Sequence, residues 1–121
     1  MSSQKIKFRY TQWGNKIFNG IAFKEDEDVV VNFRLGVGKG SIDAEGKSWS
    51  IVSLETDARV LGVKVFDFFD RIISKYGKRD HRYPSTLGST LKCYWHVYDD
   101  KLPQLMEEIK KALKKAMDNQ P

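Results

Sequence analysis

The chain carries one cysteine, two histidines and three prolines, and it has no apolar run approaching the roughly 18 residues of a membrane span. Each shortage closes off a class of function. Cys93 has no partner for an internal disulfide, and its place on the apolar parity of a strand reads as a small buried hydrophobe rather than a nucleophile. His81, His96 and Cys93 offer no ligand pair at zinc spacing, so no metal site is expected. The first ten residues, MSSQKIKFRY, contain no signal-peptide core. The expectation is an intracellular protein, cytoplasmic or nuclear/nucleoid and not secreted, without membrane contact.

Catalytic groups are scarce as well. Asp67 and Asp70 lie three apart on a helical pattern, but Lys64 and Arg71 beside them read as surface ion partners. His96 can pair with Asp99 or Asp100 only if the chain bends. The acidic run of residues 25–28 lacks the spacing of a calcium loop and reads as a solvated turn. Gly36-Val37-Gly38-Lys39-Gly40-Ser41 matches neither a P-loop nor a dinucleotide fingerprint, and reads as a hairpin tip with Lys39 placed to touch a phosphate. No enzymatic role and no cofactor are expected.

What remains is the pattern. A chain of 121 residues, 40% hydrophobic and 31% charged with a net charge of +5, suits one folded domain over residues 1–121 with a leaning towards anionic partners. Residues 90–98, TLKCYWHVY, alternate throughout: Leu91, Cys93, Trp95 and Val97 point one way, and Lys92, Tyr94, His96 and Tyr98 the other. Residues 5–10 repeat the theme, with Ile6, Phe8 and Tyr10 opposed to Lys5, Lys7 and Arg9. A turn at residues 12–15 leads to a second strand over 16–24, read with Ile17, Ile21 and Phe23 inward and Lys16, Phe18 and Lys24 outward. Residues 29–35 give a third strand with Asn32 and Arg34 outward. Residues 47–54 give a fourth, in which the face taken by Trp49 stays open.

Residues 57–76 have helical periodicity, with Leu61, Val65, Phe68, Phe69, Ile72 and Tyr76 on one stripe, Thr56 or Asp57 as the cap and Gly77 as the stop. Residues 78–89 read as a loop, either a phosphate-contacting flap or a solvated connection. A last helix follows Asp99 or Asp100, with Leu102, Leu105, Met106, Ile109, Leu113 and Met117 as its apolar stripe. The fold expected is α+β: an antiparallel sheet of about five strands in the order ββββα-βα, with one face packed on helix.

The outward set then comprises Lys5, Lys7, Arg9, Lys16, Phe18, Lys24, Asn32, Arg34, Lys92, Tyr94, His96 and Tyr98, and it holds no acid although the chain has 16 Asp and Glu. Cations attract phosphates and flat rings stack on unpaired bases, so the set points to single-stranded DNA or RNA bound with little sequence preference. Phe18, Tyr94, His96 and Tyr98 are the expected stacking groups; Lys5, Lys7, Arg9, Arg34 and Lys92 are the expected phosphate contacts. The alternative is a small protein-binding or inhibitory module of viral or regulatory kind. A homodimer through the C-terminal helix or a sheet edge stays open.

Four strands followed by a helix, with the passage Trp49-Ser50-Ile51-Val52-Ser53-Leu54 leading into Val65-Phe66-Asp67-Phe68-Phe69, resembles the Pur-alpha type of nucleic-acid-binding repeat over roughly residues 5–77. The resemblance implies a module that binds single-stranded DNA or RNA and pairs into dimers. The strand and helix after Gly77 depart from a single repeat.

Overall fold

Alternation of apolar and polar residues in the first half of the chain produces four strands before any helix forms. The computed structural model describes residues 6–14, 16–24 and 28–117; Lys5 and most of the acidic run lie outside them. The strands are β1 (Ile6–Trp13), β2 (Ile17–Lys24), β3 (Val30–Ile42) and β4 (Ser48–Asp57). Helix α1 (Val60–Ile73) follows, then β5 (Gly77–Arg79), β6 (Ser85–Leu87), β7 (Thr90–Tyr98) and helix α2 (Leu102–Lys115). They make one seven-stranded sheet in the order β1-β2-β3-β4-β7-β5, with β6 also paired to β7, and every pairing is antiparallel. The fold class is α+β as expected, with more strands than the five anticipated.

The two extra strands come from the segment read as a loop. Three residues each, β5 and β6 carry no readable periodicity, yet both hydrogen-bond along the same edge of β7. The glycine run is also strand. Backbone pairing of Gly36 through Lys39 with Ser53 through Ser50 needs no side chains, and the turn falls later, where Asp43 Oδ1 accepts the backbone N–H groups of Glu45 and Lys47 and Gly46 takes φ 85°.

Both helices lie on one face of the sheet. Phe8, Phe18, Val31, Phe33, Leu35, Val52, Leu54, Leu91, Cys93, Trp95 and Val97 supply the sheet side of a single hydrophobic cluster; Leu61, Val65, Phe66, Phe69, Ile73, Leu105, Ile109 and Leu113 supply the helical side. Phe8 sits at its centre, 5.3 Å from Phe33 and 4.8 Å from Phe68 between ring centroids. On α2, Leu105, Met106, Ile109 and Leu113 are buried in that cluster, so the stripe considered for a dimer is occupied by the chain's own core. Beyond α2, Phe8 N–H donates to Ala116 O at 2.9 Å and bridges to Met117, which covers part of the free edge of β1.

One face assignment is corrected. Phe18 is fully buried and opposite Leu35, and Ala22 is opposite Val31, so the core side of β2 is Phe18 and Ala22. Ile17, Ile21 and Phe23 stand on the other face. The segment IFNGIAFK is apolar at both parities, and its register with β3 decides which parity is buried.

No helix among the described residues is long and apolar enough to cross a membrane.

Candidate ligand-binding face

The face opposite the helices is uncovered. Its rows follow from strand register: Asn19, Arg34, Glu55 and Lys92 lie side by side across β2, β3, β4 and β7, and the next row runs from Ile17 through Gly36 and Ser53 to Tyr94. Beyond it Ile51 lies opposite His96, which pairs in turn with Lys78 of β5, and Trp49 lies opposite Tyr98. His96 and Tyr98 are exposed, while Lys92 and Tyr94 are half-buried.

Of the expected contacts, Arg34, Lys92, Tyr94, His96 and Tyr98 share the β3–β4–β7 half of this face. Arg34 and Tyr94 line one shallow depression, and Arg34 is exposed with no ion partner among the described residues. Lys7 and Arg9 are on the same face but on β1, four strand spacings from β7, or about 19 Å at about 4.8 Å per strand. Arg9 lies over the Phe23 ring at 5.3 Å. Phe18 belongs to the core and Lys5 is outside the described residues.

The outward set is not free of acid. Because β4 runs between β3 and β7, Glu55 sits between Arg34 and Lys92, 3.3 Å from the Lys92 ammonium, and Asp57 stands one row away. A carboxylate amid two cations halves their attraction for a phosphate. Glu55→Gln is therefore expected to raise affinity for a single-stranded oligonucleotide by about threefold at low salt, an effect that shrinks as salt rises. Titrations at two ionic strengths check this, and an unchanged or lower affinity would count against phosphate at this row.

The structure adds two groups that periodicity left unread. Trp49 is on the open face, stacked on His96 at 4.5 Å with 25° between planes, and its ring covers Gly40 so closely that a Cβ there would stand 2.4 Å from the indole. Strict alternation of Ser50, Val52 and Leu54 as buried residues was the available signal. Lys78 faces His96 across β5 and β7.

A hydrogen bond holds one of the rings, and ring contacts hold the others. Tyr98 donates its hydroxyl to Asp43 at 2.7 Å, which raises the phenol's pKa and lowers that of the carboxyl, and Lys47 lies 4.7 Å from the Tyr98 ring. Tyr83 meets Tyr94 edge-on at 4.6 Å. His96 pairs with neither Asp99 nor Asp100. Asp99 accepts from Ser50 at 2.6 Å and Ser48 at 2.8 Å, bonds that lower its pKa, and Asp100 is 3.6 Å from Lys47. The carboxylate near His96 is Asp80, 4.0 Å from its Nε2; Arg82 holds it ionised through a bond of 2.7 Å.

The expected flap has less free charge than its composition suggests. Arg82 is on Asp80, and Arg79 is 3.0 Å from Asp70 and over the Phe66 ring. Asp70 is an ion partner as expected, but of Arg79 rather than Lys64 or Arg71, and it also accepts from Ser74 and from the Trp95 indole. Burial pushes the Cys93 thiol up to about 12, which removes it as a nucleophile at neutral pH. Among the described residues no group of three His, Cys, Asp or Glu is placed to hold a metal ion.

By class, this is an α+β protein whose antiparallel sheet carries both helices on one side and leaves the other open. No protein-family model, curated protein or solved structure matches the chain significantly.

Proposed function

We propose that the open face binds single-stranded nucleic acid, DNA or RNA, through the β3–β4–β7 half. The observation that carries this reading is the adjacency of Arg34, Lys92, Tyr94, His96 and Tyr98 on a surface no helix covers. Rings on an uncovered face stack on bases of any identity, and the cations track the backbone. Lys7 and Arg9 extend the positive surface towards β1. The order ββββα over residues 6–73 is the one on which the resemblance to Pur-alpha-type repeats rests, and it supports the reading by analogy alone.

Each stacked base is worth about 1–3 kcal/mol, so Tyr94→Ala combined with Tyr98→Ala weakens binding of a mixed-sequence oligonucleotide by about 30-fold or more. Fluorescence anisotropy against single-stranded and duplex DNA and RNA measures it. Equal affinity of the double variant and the parent would reject stacking.

One observation favours a second reading. Trp13 is 65% exposed and Val30 44%, and with Ile17, Ile21 and Phe23 they put apolar groups among Lys7 and Arg9 on the β1–β2–β3 half of the face. Such a surface suits a protein partner. Absence of binding to every nucleic acid in the same titrations would favour it.

A further inference from the structure

At the rim of the open face, the end of β7 and the turn from α1 into β5 enclose a groove of ≈ 550 Å³ lined by Trp49, Lys75, Tyr76, Lys78, His96 and Tyr98. We infer that this groove is a subsite for one nucleotide, taking its base against the rings and its 5′-phosphate on Lys78. The inference rests on the nucleic-acid reading above and narrows it to a place and a chemical unit.

Charge, preorganisation and size together select a phosphorylated aromatic ring as the occupant. The central row of the face has Glu55 between its cations, whereas no carboxylate lines the groove itself; Asp80, 4.0 Å from His96, is held by Arg82, and Asp43 is held by the Tyr98 hydroxyl. Lys75 is bonded to Glu108, which also accepts from the Tyr76 hydroxyl, so its charge is already balanced. Lys78 is exposed and makes no ion pair among the described residues, which leaves its ammonium for an anion.

Trp49 and His96 are stacked, Tyr98 is anchored through Asp43, and Gly40 beneath Trp49 admits the indole where any larger residue would clash. Rings already fixed lose little freedom when a base joins them. In size the groove falls in the range of small-molecule sites, and it is open at the rim, so a strand can enter and leave. Gly77 completes the wall, since a Cβ there would stand 2.4 Å from His96 O and push β5 away from β7.

The test uses the full chain and adenosine 5′-monophosphate, with adenosine as the unphosphorylated control. Indole N–H resonances are followed by NMR for the protein's tryptophans. The nucleotide is expected to shift the Trp49 indole and the Lys78 and His96 amides, while Trp95 in the core stays put. It is expected to bind about tenfold or more tighter than adenosine, as a charge-assisted contact to phosphate requires. Lys78→Glu, an exposed change that leaves the Trp95 resonance in place, should erase that preference. Equal affinity for the two compounds, or shifts confined to other residues, would overturn the inference.

A parallel titration with a (dT)12 oligonucleotide separates binding in the groove from binding along the face. Oligonucleotide binding without nucleotide shifts at Trp49 rejects the groove and keeps the face. Nucleotide binding at Trp49 without oligonucleotide binding keeps the groove and rejects the strand reading.

Discussion

Replacing Trp95 with alanine is expected to destabilise the protein by about 3–5 kcal/mol, a large share of the total for a domain of this size. Trp95 is fully buried on β7, parallel to Phe66 of α1 with centroids 6.2 Å apart. Its indole N–H donates to Asp70 at 2.9 Å, the same carboxylate that holds Ser74 at the end of α1 and Arg79 on β5. Alanine removes the ring, leaves a cavity between sheet and helix, and takes one donor from a half-buried carboxylate. Trp95→Phe keeps most of the volume and loses only the bond, so its cost is about 1–2 kcal/mol. Urea unfolding of the three proteins measures the difference through the midpoint at constant slope. A loss below about 1 kcal/mol for the alanine variant would mean that Trp95 does not join α1 to the sheet as described.

The second large effect is at Gly62, where two principles predict opposite signs. In a helix, alanine is favoured over glycine by about 1 kcal/mol, so Gly62→Ala would stabilise α1 if propensity governed. A Cβ at this position, however, would stand 1.5 Å from Asp57 O and 2.6 Å from the carbon that bears it. Both are backbone atoms at the end of β4 and cannot swing aside as a side chain does. The first turn of α1 must lift from the strand, and overpacking of this kind costs about 2 kcal/mol or more after the propensity gain is counted. Thermal unfolding of Gly62→Ala gives the sign directly, and a higher midpoint would show that α1 starts farther from β4 than described.

Strand β7 is legible in the sequence because its two faces differ in kind. Leu91, Cys93, Trp95 and Val97 are all buried, and the residues between them are not. In β2 alternation does not decide the face, since Ile17, Ile21 and Phe23 are as apolar as Phe18 and Ala22, and only the partner strand breaks the tie. The apolar groups on the open face are hidden from a sequence reading for the same reason. Glu55 escaped notice because a residue's neighbours across a sheet depend on strand order, which local alternation does not encode. Arg34 and Lys92 were found as separate outward cations, but their shared row with Glu55 between them is a property of the assembled sheet. The helical stripes read well, but α1 is shorter than its periodicity: Arg59 is its N-cap, Thr56 and Asp57 end β4 instead, Gly77 opens β5, and Phe66 and Ile73 are buried more deeply than Phe68 and Tyr76.

The bond from Phe8 to Ala116 joins positions separated by almost the whole chain. Its consequence is kinetic. Strand β1 can pair with β2 locally, but its outer edge gains this bond only when the end of α2 is in place, and that closure carries the entropy of a very long loop. A ribosome-bound chain still lacking its last helix therefore holds the sheet with its first rim bare.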